Sequence, residues 1–351
     1  MDMQTDIPRL EKTLKEYSGR PLKLMEVCGT HTRRISRFGI PSLLPMGVSL
    51  ISGPGCPVCV TPAGYIDRAA ELSLESGSTV LSFGDLMRVP GNTRSLARAR
   101  AEGGSVGLIY SPMEALRLAE SEPERMFYIA AVGFETTAPA YALLVERLRE
   151  QSIKNVRILT SMKAIVPALE WICLNDPDID GFLGPGHVGA ITGWGIYEPV
   201  CSRHKIPLSV AGFEYGQMLS ALCDLVARAD RGDDSVVNLY PGIVSKKGNE
   251  RALELMDRCF VRADSVWRGL GIIENSAYVL SEEFADYDAG GYDDCSDMPG
   301  DCLCGGVITG RAKPCDCPLF GTVCTLASPV GPCMVSSEGA CGIWLETGRE
   351  K

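Results

Sequence analysis

Residues 127–150, FYIAAVGFETTAPAYALLVERLRE, contain the unit that decides the fold. The apolar run FYIAAV predicts a buried strand, and Tyr141, Leu144 and Leu148 recur at helical spacing after it. The threonines and proline of the intervening TTAP are suited to cap and start that helix. A strand, a short loop and an amphipathic helix in this order are typical of α/β proteins with parallel sheets.

The same pattern extends in both directions along the chain. The other strand-like runs are short and continuously apolar, which is typical of strands covered on both faces of a parallel sheet. Helical patterns lie between them, at 63–77, 112–121, 213–229 and 247–260. The further predicted strands are LKLMEV (22–27), VSLISG (48–53), TVLSF (79–83), VGLIY (106–110), VRILT (156–160), GFLG (181–184) and LSVAG (208–212).

A length of 351 residues predicts two or three domains. The near-equal halves 35–130 and 131–240 predict two similar α/β domains, each with a small parallel sheet flanked by helices. A repeated Gly-Phe-Glu, at 133–135 and 212–214, is the one hint that these halves are related.

Composition excludes several classes of protein. With 45% hydrophobic and 22% charged residues, the chain is neither disordered nor fibrous. A net charge of -10 argues against a nucleic-acid surface. The sequence contains no run of 18 apolar residues, so we expect no membrane span. The N-terminus has no apolar signal segment, so we expect a cytoplasmic protein whose clustered cysteines are metal ligands or redox centres. The acidic stretch 282–301 is interpreted as a solvated linker.

Cysteines follow two of the predicted strands, at the edge where α/β proteins place their chemistry. Cys28 comes after LMEV, with His31 three residues on, and is a candidate nucleophile or metal ligand. Cys56 and Cys59 form a C-x-x-C after VSLISG. A reversible dithiol/disulfide is the leading interpretation of this pair, and shared metal ligation with Cys28 is the alternative.

Two further strand ends carry candidate polar groups. Glu135 follows FYIAAV and is not explained by helix capping, so it is a candidate acid–base or metal-proximal carboxylate. His187 lies in the glycine-rich loop GPGHVGAITG, which matches no phosphate-binding motif. We interpret both side chains as functional.

The C-terminal region is dense in cysteine. Eight of the 15 cysteines lie between residue 295 and the last residue, 351. On spacing, four of these fit either tetrahedral zinc or a cubane iron–sulfur cluster, with the long gaps slightly favouring the cluster. Cys295, Cys302, Cys304 and Cys315 are left without a role. The four candidate ligands are Cys317, Cys324, Cys333 and Cys341.

Taken together, these motifs resemble the HypD-type [NiFe]-hydrogenase maturation factors. The resemblance spans residues 25 to 341, and no single motif would carry it. The matching runs are MEVCGTHTRRISRFGIPSLLP, ISGPGCPVCVTP, FGDLMRVPG, VGFETTAPA, GPGHVGAITG, AGFE, WRGLG and CPLFG with the following GPCMVSSEGAC.

The resemblance implies two α/β domains and a third, mostly helical or irregular, cysteine-rich domain with a [4Fe–4S] cluster. This third domain would comprise 241–351, with residues 1–34 packing near it. It also implies a small HypC-type chaperone and a HypE-type cyanide donor as partners, and the hydrogenase large subunit as an indirect one. On their complex the Fe(CN)2CO unit of the hydrogenase would be assembled.

The resemblance also implies roles for particular cysteines. Cys28 would hold the iron, shared with a cysteine of the chaperone, and Cys56 and Cys59 would be redox-active. Two rival hypotheses remain: an iron–sulfur-dependent thiol–disulfide oxidoreductase acting on proteins, and a zinc-binding interaction module. The implied cluster ligands are Cys317, Cys324, Cys333 and Cys341.

Overall fold

The computed structural model describes residues 6–176, 178–292 and 300–348. Within these ranges the chain forms two β-sheets flanked by helices, which confirms the α/β class. The strands are β1 (Leu22–Glu26), β2 (Val48–Ser52), β3 (Ser78–Ser82), β4 (Val106–Leu108), β5 (Met126–Gly133), β6 (Val156–Lys163), β7 (Gly181–Pro185), β8 (Leu208–Ala211), β9 (Val236–Asn238), β10 (Phe260–Trp267) and β11 (Gly271–Leu280). The helices are α1 (Ile7–Lys15), α2 (Gly29–Arg37), α3 (Ala63–Leu74), α4 (Leu96–Ala101), α5 (Glu114–Ser121), α6 (Ala138–Glu150), α7 (Ile165–Asn175), α8 (Gly186–Thr192), α9 (Glu198–His204), α10 (Tyr215–Arg231), α11 (Glu250–Cys259), α12 (Cys304–Ile308) and α13 (Ala340–Glu346).

The first sheet is wholly parallel and has the strand order β2-β1-β7-β8-β9. Glu26 at the end of β1 lies opposite Ser52 on one side and Leu183 on the other. Because parallel strands end at the same edge, the loops after β1, β2 and β7 converge there. This convergence brings three of the predicted motifs to one place.

The second sheet is mixed and has the order β10-β11-β6-β5-β3-β4. Its β6, β5, β3 and β4 are parallel, whereas the β10–β11 hairpin adds antiparallel strands at one edge. Sequence reasoning missed this hairpin. Its strands are partly exposed and interrupted by polar and charged residues, unlike the continuously apolar runs on which the strand predictions relied.

The predicted domain boundaries do not coincide with the sheets. The range 35–130 contributes β2 to the first sheet but β3 and β4 to the second, and 131–240 likewise contributes to both. Strand β1 from the range 1–34 lies in the first sheet, and β10 and β11 from 241–351 lie in the second. The chain crosses between sheets more than once, and apolar runs of similar length do not reveal such crossings.

The predicted third domain, 241–351, is not helical or irregular throughout, because its first part supplies α11 and the β10–β11 hairpin. Its described cysteine-rich part, residues 300–348 (the tail), is irregular, with two short helices and 3-10 turns at Pro314–Asp316 and Pro332–Met334. It packs on the body through an apolar cluster that includes Cys56, Phe134 and Trp267. The start of the predicted acidic linker is not a free strip, because Phe284 is buried within its 3-10 turn. Cys295 lies outside the described residues.

No helix in the described ranges is long and apolar enough to cross a membrane.

Candidate functional site

The loops after β1 and β2 lie directly against each other. The amide of Gly29 donates to the carbonyl of Gly55 over 3.1 Å. A Cβ added at Gly55 would lie 2.3 Å from the backbone nitrogen of Cys28, so only glycine fits there. The C-x-x-C segment therefore rests on the backbone of Cys28.

Cys28 is a buried free thiol at the start of α2. Burial raises the pKa of Cys28 to about 12, and the nearby Glu338 and Glu26 carboxyls act in the same direction. The backbone amides of His31 and Thr30 favour the thiolate, since they direct N–H dipoles at the sulfur. The Cys28 side chain is therefore a neutral thiol at pH 7. A metal ion that bound its sulfur would displace the proton.

Glu26 is a site residue that sequence reasoning missed. Its carboxylate accepts the amide of Cys28 at 3.0 Å and the hydroxyl of Thr32. Burial raises the pKa of Glu26 to about 7, although these hydrogen bonds oppose the shift. The available signal was a lone acidic residue inside the apolar run LKLMEV.

His31 and His187 are brought together by an aromatic stack. His31 lies 4.6 Å from Phe213 and His187 lies 3.8 Å from the same ring, measured between ring centroids. The Nε2 of His31 is 3.0 Å from the carbonyl of Gly212, so Nε2 carries the proton. Burial lowers the pKa of His31 to about 4 and also lowers that of His187. His31 is therefore neutral, and its buried Nδ1 is an acceptor that has no partner among the described residues.

Glu135 reaches this region from the second sheet. Its Oε1 accepts the amide of Ile165, at the start of α7, at 2.9 Å, and its buried Oε2 has no partner among the described residues. Burial raises the pKa of Glu135. The hydroxyl of Tyr197 is equally buried and unpartnered, and after burial it is the charges of Glu135 and Cys28 that raise its pKa. The charges of both groups thus reach the Tyr197 hydroxyl, a residue that no sequence motif had indicated.

Cys56 and Cys59 form a disulfide, with 5.3 Å between their Cα atoms. Both are buried, and the amide of Cys59 lies 3.2 Å from the sulfur of Cys56. The sulfur of Cys59 lies 4.0 Å from the carbonyl of Pro332, the residue before Cys333. The pair therefore lies between Cys28 and the cysteine-rich tail.

The tail pairs its cysteines differently from the predicted ligand set. Cys333 is bonded to Cys304, with 6.3 Å between their Cα atoms, and so is not a free thiol. Burial raises the pKa of Cys341, and the charges of Cys324, Cys302 and Cys317 raise it further. Chain spacing did not show this, because Cys302 folds back against Gly331, where an added Cβ would lie 2.8 Å from its sulfur.

Four of the five unpaired thiols in the described tail are electrostatically coupled but not gathered around one point. Cys317 and Cys324 also raise the pKa of Cys302, after burial. In the described ranges, no three His, Cys, Asp or Glu side chains are close enough to hold a single metal ion. The group comprises Cys302, Cys317, Cys324 and Cys341.

The fold and site define an α/β protein that brings cysteines of the C-x-x-C segment and of the tail into one apolar region beside the β10–β11 hairpin. Comparison with protein families matches residues 3–348 to HypD, described as the hydrogenase formation hypA family. The chain belongs to this family of hydrogenase maturation factors.

Individual relatives agree over nearly the whole length. The hydrogenase maturation factor HypD of Azotobacter vinelandii is 42% identical over 345 residues, which cover 95% of this chain and 91% of the relative. The HypD factor of Escherichia coli K12 is 40% identical, covering 93% and 89% respectively. That of Cupriavidus necator is 39% identical, covering 95% and 91%.

Proposed function

We propose that this chain is the scaffold on which the Fe(CN)2CO unit of [NiFe]-hydrogenase is assembled, with Cys28 as the thiolate that anchors the iron. The partners would be a small HypC-type chaperone and a HypE-type cyanide donor, and the work would take place in the cytoplasm. The supporting observation is that Cys28 is a buried thiol at which the amides of Thr30 and His31 point, and whose charge acts on the buried, unpartnered hydroxyl of Tyr197.

Each polar group of the site has a definite task in this proposal. Iron with strong-field ligands needs a soft thiolate and a site screened from water. The amides after Cys28 stabilise the thiolate once its proton has left. Tyr197 is a donor for the nitrogen of a cyanide ligand, as is Glu135 when protonated. His31, whose free Nδ1 can only accept, would receive a hydrogen bond from a protonated group nearby and stay neutral.

We further propose a [4Fe–4S] cluster on Cys302, Cys317, Cys324 and Cys341, in place of the set with Cys333. Four coupled, largely buried thiols in apolar surroundings suit a cubane, since each thiolate binds a different iron. When bound, the cluster supplies single electrons. Two electrons and two protons convert one disulfide to two thiols.

The chain's own residues then pass reducing equivalents onward by thiol–disulfide exchange. Once Cys304–Cys333 is reduced, a thiolate from this pair attacks Cys56–Cys59, so that one disulfide re-forms as the other opens. The 4.0 Å contact between the sulfur of Cys59 and the carbonyl of Pro332 places the two pairs next to each other, as this exchange requires. The reduced C-x-x-C would then lie beside Cys28, where the iron unit is assembled.

The experiment is infrared spectroscopy of the chain purified anaerobically with its chaperone. Cys28→Ala should abolish the nitrile and carbonyl bands while the visible absorption of the tail cluster persists. Cys201→Ala is the matched control, because Cys201 is also a buried free thiol but packs in the core of the first sheet. Bands that survive in Cys28→Ala would refute the anchor.

Two neighbouring disulfides also favour a second candidate, an iron–sulfur-dependent thiol–disulfide oxidoreductase acting on proteins. This alternative predicts turnover of dithiols without the chaperone and no dependence on Cys28. Measuring disulfide reduction by the Cys28→Ala variant in the absence of the chaperone separates the two functions.

A further inference from the structure

Arg268 is a buried cation at the junction of the second sheet, the C-x-x-C segment and the tail. It lies in the turn between β10 and β11, and only 1% of its surface is exposed. Its backbone amide donates to Val60, the residue after Cys59, at 2.8 Å. Its Nη1 donates to the carbonyl of Pro90, also at 2.8 Å, while its buried Nε has no partner among the described residues.

The turn that carries Arg268 is pressed against the start of α12. Gly269 has a φ of +83°, and a Cβ there would lie 2.6 Å from the Cα of Gly305. A Cβ on Gly305 would in turn lie 3.0 Å from the carbonyl of Gly269. Two glycines in contact thus fix Arg268 beside the segment that contains Cys302 and Cys304.

The guanidinium lacks the usual counter-ion of a buried arginine. In the described ranges no carboxylate forms a salt bridge with it. Burial lowers the pKa of Arg268 to about 10, so it stays charged at neutral pH, and the groups that oppose this shift are Cys302 and Asp67. The Asp67 carboxylate already accepts the amides of residues 92–94. A buried charge is stable only when it is compensated. Because Asp67 already has its own partners, the tail thiolates, with Cys302 among them, are the negative charge left to compensate Arg268.

We propose that Arg268 is the counter-cation of the tail's thiolate centre and raises its reduction potential. This inference rests on the cluster proposed above. Each electron added to an iron–sulfur centre adds negative charge, and a fixed cation nearby in a medium of low dielectric constant stabilises the reduced form more than the oxidised form. Arg268 acts through this field and does not ligate iron.

The test is a redox titration of the anaerobically purified full chain, followed by electron paramagnetic resonance. Arg268→Met should shift the midpoint potential of the cluster to a more negative value, whereas Arg268→Lys, which keeps the charge, should stay near the wild type. Arg88→Met is the matched control: Arg88 also contacts the tail, through the carbonyl of Leu326 at 2.8 Å, but its side chain is exposed. That variant should titrate like the wild type.

Several outcomes would overturn the proposal. An Arg268→Met chain with full iron content and an unshifted potential would do so, as would a lysine variant shifted as far as the methionine variant, because the hydrogen bond to Pro90 would then be the cause. If Arg268→Met does not fold, Arg268→Gln, of similar polarity but uncharged, takes its place with the same expected shift. A wild-type chain without any iron–sulfur signal would refute the cluster itself, which is a distinguishable failure.

Discussion

Cys28 and the tail thiols are both buried sulfurs, yet their surroundings differ in kind. Cys28 follows the end of a parallel strand, where its amide donates to Glu26 and the amides of Thr30 and His31 favour its thiolate. The tail thiols lie mainly among apolar side chains and one another, with Arg268 as the nearby cation. A strand end provides a polar site for a single ligand that comes and goes, whereas the tail suits a resident multi-iron cluster that neutralises its own thiolates.

The largest expected effect separates these two sites completely. Cys324→Ala should remove the visible absorption of the iron–sulfur cluster, since a cubane lacking a thiolate ligand is labile. The same variant should unfold at a lower temperature, because Cys324 belongs to the group of apolar side chains through which the tail packs on the body. Thermal unfolding followed by circular dichroism measures this. Cys28→Ala is the control and should retain the absorption; equal loss in both variants would contradict two independent sites.

A second experiment compares the two possible ligand sets within the tail. Cys302→Ala should lose iron and acid-labile sulfide, while Cys333→Ala should keep both and expose one additional free thiol, that of Cys304. The reason is that Cys333 is already bonded in the structure, whereas Cys302 is not. Iron and sulfide analysis with thiol counting decides the matter. The reverse pattern would support the ligands inferred from chain spacing.

This contrast also shows what sequence reasoning could reach. Strand-end position predicted Cys28, Cys56 and Glu135 as site residues, and the structure places each of them in the loop that follows a strand. That logic works because neighbouring parallel strands end together. It did not predict Tyr197, the residue at the start of α9, whose surroundings depend on distant segments of the chain.

The tail was harder for a physical reason. An irregular chain has no periodicity, so nothing in the spacing of Cys302 and Cys333 indicates which one meets Cys304. Which strands share a sheet was also difficult to predict, because parallel strands pair across long crossovers. The boundary predicted at residue 130 falls within β5, which lies in the middle of the second sheet.

A smaller effect is expected where the C-x-x-C loop rests on Cys28. Gly55→Ala places a methyl group against backbone rather than against a flexible side chain, so the loops must separate. We expect a loss of about 1–3 kcal/mol in the free energy of unfolding, measured with urea. Gly84→Ala, at the end of β3, is the control, since an added Cβ there has nothing within 4 Å. Equal stability of the two variants would show that the loops are not in close contact.

The smallest predicted effect concerns Glu135, and it tests whether the polar side of the comparison carries a proton. Burial raises the folded-state pKa of this carboxyl above its ordinary value of 4.5. Between the two pKa values the folded chain binds more protons than the unfolded chain, so stability falls as pH rises through that window, by at most about 1.4 kcal/mol per pH unit. Glu135→Gln cannot ionise and should make this part of the pH profile less steep, leaving the contribution of Glu26, whose pKa burial raises to about 7. Urea unfolding from pH 4.5 upward, with Glu198→Gln at an exposed helix start as the control, measures the difference. An unchanged slope in Glu135→Gln would mean that the carboxylate is ionised at pH 7 and cannot donate a hydrogen bond to a cyanide ligand.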